Sequence, residues 1–169
     1  MNHRHLITNK RRQGALLSLE LVIALPVLLI VVFASIEFSF LLLGSQAITA
    51  AASIGARQAA LPSATAQDVN HSIFQALNTW RWAEPQHLQV LVYVDAENDG
   101  IETEDLVYDS HNAGSYDPLA DEVATAPTGT DIQVTIVLPS DQAAPDLLTI
   151  FGLGLAEQEL SSTFVTRKE

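Results

Sequence analysis

The sequence predicts an α+β protein: one long N-terminal helix, spanning a membrane over its first half and packed over its second on a small antiparallel sheet. Three observations predict it. Residues 21–43 are apolar throughout except for Pro26, Ser35, Glu37 and Ser39. The run continues without a breaker as SQAITAAASIGARQAAL until Pro62. Beyond it, short stretches of strictly alternating apolar residues read as half-buried strands. The chain divides into a basic leader at 1–15, a hydrophobic helix at 16–61 with about 20–43 in lipid, and a head domain at 62–169.

The length of the apolar run decides the first assignment. A bilayer's hydrocarbon core of about 30 Å needs roughly 20 apolar residues at about 1.5 Å rise each. A cleaved secretory signal has a shorter core, about 7–15 residues, ending at a small-residue site on the far side. The charge distribution orients the segment. Arg4, Lys10, Arg11 and Arg12 precede it with no acid among them, whereas most of the chain's 20 acids follow it. Lys and Arg stay on the cytoplasmic side, which predicts a cytoplasmic N-terminus and an extracytoplasmic head. The net charge of −12 argues against nucleic acid, whose binders present a basic face. With no cysteine, neither a disulfide nor a thiolate is available.

Two carboxylates in the apolar stretch need a reason, since a charge in lipid costs at least a few kcal/mol. Glu20 either snorkels to the headgroups or meets a charge on another subunit. Glu37 lies 17 residues later, roughly 25 Å along a helix. It is either a water-exposed interfacial carboxylate or a subunit contact. Further along, Ala47, Ala51, Gly55 and Ala59 recur every fourth residue. Such a stripe lets backbones approach closely, against another subunit or against the chain's own sheet. Pro26 is positioned to kink the helix and Pro62 to end it.

The head begins with a turn at Ser63 and an N-cap at Thr65, with Asp68 placed to complete a capping box. Val69, Ile73, Ala76, Leu77 and Trp80 then mark one face of an amphipathic helix. Trp80 and Trp82 belong either to the core or to the headgroup region, with Arg81 a solvated flank. Residues 88–94, 106–108, 132–138 and 160–166 read as four strands. Residues 110–130 are polar and read as a loop. The apolar run 147–155, broken by Gly152 and Gly154, is too short to span lipid, so it packs on the core or lies at the membrane.

Asp95, Glu97 and Asp99 before Gly100 resemble the opening of a calcium loop. Glu97 departs from the pattern, and Leu106 stands where a bidentate Glu belongs. The alternatives are a weak structural calcium site and an acidic hairpin turn with Asp-Gly chemistry. No other cofactor is expected. No phosphate loop, zinc spacing or nucleophile elbow is present. His71, His87 and His111 are isolated, and no pair of acids is singled out for acid-base work.

The first helix also resembles a known family. Gly14-Ala15 at the cytoplasmic edge, followed by Glu20, is similar to prepilin leaders cut just before the hydrophobic segment. RRQGALLSLELVIALPVLLIVVF, then Ile36-Glu37-Phe38, then QAITAAASIGARQAA, resemble the TadE-like minor pilins, or pseudopilins, of the tight-adherence (Flp pilus) system. The resemblance implies a pilin-like fold and a role in pilus assembly or a related secretion machine, not an enzyme. It implies other pilin subunits, assembly machinery and a prepilin peptidase as partners, and the bacterial inner membrane as location. Candidate processing positions are Gly14, Ala15 and Leu16: cutting after Gly14 makes Glu20 the sixth mature residue, and cutting after Ala15 makes it the fifth. The rival reading is a membrane-anchored binding module with a calcium-binding acidic loop.

Overall fold

The structure, a computed structural model, describes residues 7–78, 87–97, 99–115, 121–154 and 158–169, with side chains from Glu20 onward. Helix α1 spans Ile7–Ala59, 53 residues, or roughly 80 Å at about 1.5 Å per residue. It starts earlier than a helix beginning near residue 16, because nothing between Ile7 and Gly14 opposes helix and Lys10, Arg11 and Arg12 favour it. It runs unbroken through Pro26. It stops at Ala59, and the chain turns through Pro62 and Ser63, the latter at φ 59.

Helix α2 (Ala66–Leu77) starts where the sequence indicates. Thr65 Oγ1 accepts the Asp68 N–H at 3.1 Å and the Asp68 carboxylate accepts the Thr65 N–H at 3.0 Å, a complete capping box. Its buried face is Ala66, Val69, Ile73 and Leu77. Trp80, Arg81 and Trp82 lie outside the described residues. Strands β1 (Gln89–Asp95), β2 (Leu106–Asp109), β3 (Asp131–Pro139) and β4 (Glu159–Arg167) form one antiparallel sheet in the order β2-β1-β3-β4. Each strand falls within a residue or two of its predicted span. The register pairs Val90 with Ile136, Val92 with Val134 and Val94 with Ile132, so the alternating residues of both central strands share one buried face. The expected loop at 110–130 is only partly irregular. It holds a 3-10 segment at Ser110–Ser115 and one helical turn, α3 (Glu122–Thr125). A further turn, α4 (Ser140–Ala143), follows β3.

The second half of α1 lies across this buried face with α2 beside it. Ala47, Ile48, Ala51, Ala52, Ala56 and Ala59 are all core residues. Gly55 is the closest approach: a Cβ there would stand 2.6 Å from Ile73 Cδ1 and 3.4 Å from Val134 Cγ1. The small side chains therefore serve contacts within one chain, and α2 and the sheet both reach the α1 backbone through them.

The end of α1 is fastened by a buried polar group that no local pattern announces. Asp121 caps α3, accepting the N–H groups of Val123 and Ala124, and also accepts the Ala66 N–H at 2.8 Å, so one carboxylate serves two helix N-termini. Lys168, 3% exposed, donates to the carbonyls of Val123 at 2.8 Å and Ala59 at 3.3 Å. Its cation thus sits at the C-terminus of α1, where the helix dipole favours it. The Glu169 N–H adds a bond to the Ala60 carbonyl.

Two outcomes are expected. Gly55→Val should cost about 1–3 kcal/mol by overpacking against Ile73, measured by denaturation of the detergent-solubilised chain; unchanged stability would mean that the crossing is looser than described. Burial lowers the Lys168 pKa from the ordinary 10.5, with the Asp121 charge opposing. Between the lowered value and 10.5 the unfolded chain holds more protons, so this group's contribution to stability rises with pH there. Wild type should gain stability relative to Lys168→Met as pH climbs through that interval, and a constant difference would show that the ammonium remains solvated.

Candidate functional site

The first half of α1 is bare. From Glu20 to Leu29 every side chain is exposed, and Leu21, Val22, Ile23 and Leu28 are each more than 60% accessible. The candidate span Glu20–Ala59 reaches a mean hydropathy of 2.7, with 6% of its most apolar window buried. A core helix of a soluble protein would be mostly covered, so this surface faces a solvent that tolerates hydrocarbon. Its hydroxyls are satisfied internally: Ser35 Oγ donates to the Val31 carbonyl at 2.8 Å and Ser39 Oγ to that of Ser35 at 2.7 Å.

Contacts begin above this bare stretch, at Ile30, Phe33, Ala34 and Glu37, spaced as one helix face. What covers them is the connection between α4 and β4. Its 3-10 turn, Leu148–Phe151, brings the Phe151 ring to 6.3 Å from the Phe33 ring, centroid to centroid. The Leu148 N–H donates to Glu37 Oε1 at 2.6 Å.

The two carboxylates of α1 therefore differ. Glu37 is 3% exposed and occupied within its own chain, while its sequence neighbours Ile36 and Phe38 point outward. The expectation of a water-exposed carboxylate gives way to a buried strut that accepts an orphan N–H of the 3-10 turn. The partner lies 111 residues away, so no sequence pattern could have named it. Glu20 is exposed and has no hydrogen-bonding or ion-pair partner among the described residues.

The other candidates fall as follows. Gly14, Ala15 and Leu16 lie on the N-terminal part of α1. Ala47, Ala51, Gly55 and Ala59 are buried against the head, so of the two uses open to the stripe the folded chain makes the intramolecular one. There the chain's own α2 and sheet lie against the helix. Asp95 is buried and accepts the N–H groups of Asp99 at 3.2 Å and Gly100 at 3.1 Å, with Gly100 at φ 111. This closes the acidic turn on its own backbone. Glu97 and Asp99 are exposed, and the described residues contain no group of three or more His, Cys, Asp or Glu arranged to hold a metal.

The geometry defines an α+β protein whose small head is carried on one long apolar helix, half clad and half bare. Residues 17–57 match the family model described as TadE-like protein. The match lies wholly within α1 and covers less than half of the chain, so the likeness is carried by the long helix. Comparison with curated proteins and with solved structures gave no match.

Replacing Glu37 with Leu should leave the half-buried Leu148 N–H without its acceptor, at about 1 kcal/mol. The Leu148 amide should then lose hydrogen-exchange protection, whereas Glu37→Gln, which keeps an acceptor, should retain most of it. Equal protection in both variants would remove the strut from the account.

Proposed function

We propose that the protein is a minor pilin or pseudopilin of a tight-adherence pilus or related secretion machine, anchored in the bacterial inner membrane with its basic N-terminus in the cytoplasm and its head outside. Its work is assembly by helix-to-helix packing, not catalysis. The TadE-like match over α1 supports the system, and the basic cluster Lys10-Arg11-Arg12 supports the orientation.

The observation that carries the mechanism is Glu20, a carboxylate on the bare apolar surface without a partner among the described residues. A lone charge in lipid is costly, and an opposite charge offsets that cost. Cleavage by a prepilin peptidase after Gly14 or Ala15 would create an ammonium on the same stretch of helix. Brought alongside by a neighbouring copy or related pilin, that ammonium meets Glu20 and sets the axial register of the bundle. Glu37 has no such role in this proposal, since its own chain already satisfies it. The rival, an anchored module binding calcium at Asp95, Glu97 and Asp99, has less support, because Glu97 and Asp99 are exposed and the described residues contain no group of three or more acids or histidines placed to hold a metal.

Mass spectrometry of the membrane-extracted protein should find a mature N-terminus at Ala15 or Leu16, and the full chain where prepilin peptidase is absent. Glu20→Ala should abolish assembly while leaving membrane insertion intact. A chain that retains Met1 and a Glu20→Ala variant that assembles normally would together overturn the proposal.

A further inference from the structure

The connection 145–154 holds features that anchoring by α1 does not explain. Its tip carries Ile150 at 79%, Leu153 at 57% and Phe151 at 37% exposure. From Leu147 to Gly154 it contains no charged residue. Three large apolar side chains presented together on one short loop need a cover other than water.

The level of this tip on α1 identifies the cover. Through Phe33 and Glu37 the loop meets α1 inside its apolar run. Counting about 20 residues of span from the basic cluster ending at Arg12 puts the outer hydrocarbon boundary near residues 32–36. Taking the span as 20–43 puts it further out. On either placement the loop tip reaches the boundary or passes below it, directly above the bare surface of Glu20 to Leu29.

Part of the loop backbone is satisfied internally, as hydrocarbon requires. The Leu147 N–H donates to Pro145, that of Gly152 to Thr149 and that of Leu153 to Leu148, at 2.9–3.1 Å. The Leu148 N–H goes to Glu37. Gly152, at φ 74, closes the 3-10 turn in the left-handed conformation that glycine takes without strain. The Thr149 hydroxyl donates to the Asp146 carbonyl. Asp146, at the start of the loop, is the nearest charge in sequence.

We infer that residues 147–154 form a lipid-inserting loop: Ile150, Phe151 and Leu153 enter the outer leaflet beside α1, and the Glu37 bond to Leu148 holds the loop at that depth. The head is then seated on the membrane at two points, the helix and the loop, which fixes its tilt. A neighbouring subunit covering the same side chains is the competing occupant. Lipid is favoured because the patch is continuous with the bare surface of α1 and its three exposed side chains, Ile150, Phe151 and Leu153, carry no polar group; the nearby Asp146 carboxylate lies back against Gly154 and Thr149. The inference rests on α1 lying in a bilayer, and its test reports that separately.

The chain has no cysteine, so single sites can be labelled cleanly. Ile150→Cys, Leu28→Cys and Thr163→Cys, each carrying an environment-sensitive fluorophore, would be reconstituted as full chains in phosphatidylethanolamine–phosphatidylglycerol vesicles. The label at 150 should emit blue-shifted light, be quenched by doxyl-acyl lipid, and be severalfold less quenched by aqueous iodide than the label at Thr163. These properties should persist as protein is diluted with lipid. Iodide quenching at 150 equal to that at 163, with 28 still quenched by lipid, would overturn the loop inference and leave the anchor standing. Protection at 150 that disappears on dilution would assign the cover to another protein chain and overturn it too. A label at 28 without lipid quenching would remove the anchor and the loop together.

Discussion

One helix must satisfy two solvents, and the rest of the structure follows from that. The lower part of α1 exposes Leu21, Val22, Ile23 and Leu28 with no protein against them. The upper part buries Ala47, Ala51, Ala52 and Ala59 completely or nearly so. In lipid, bulky side chains lose nothing by exposure, and no hydrophobic force drives them together. In water, the same helix needs a covered face, and small residues let α2 and the sheet close on it to backbone distance. The change from Leu, Val and Ile to Ala and Gly along α1 is the change of solvent written in residue volume.

The head depends on where that helix ends. Asp121 bonds the starts of α2 and α3, and Lys168 bonds the carbonyls of Ala59 and Val123. The last strand is thereby held to the last turn of α1. Buried charges of this kind are tolerated when their hydrogen-bonding capacity is met. Each hydrogen bond named here runs from one of these two side chains to a backbone group, so the pair fixes chain geometry. The Asp131–Arg167 pair, at 2.7 Å on the exposed surface of the sheet, is a lesser matter, since exposed pairs contribute little.

The two carboxylates of α1 separate fold from function. Glu37 is consumed by the fold, holding the connection that follows α4. Glu20 is left to whatever stands beside the helix.

Much of this was legible in advance. Apolar run length marks out the long helix that is apolar enough to cross a membrane, because hydropathy and length are local properties of the chain. Alternation gives β1 and β3 to within a residue or two, because sheet pleat has period two, and Thr65 with Asp68 gives the start of α2, because a capping box is local. What the sequence could not decide was which groups meet across the fold. The stripe at Ala47, Ala51, Gly55 and Ala59 suited a neighbouring subunit and the chain's own sheet equally, and only packing assigned it to the latter. Glu37 found the Leu148 amide, and Lys168 found Ala59, more than 100 residues away in each case. Hydrogen bonds at that separation carry no periodicity, and only the folded backbone brings their ends together.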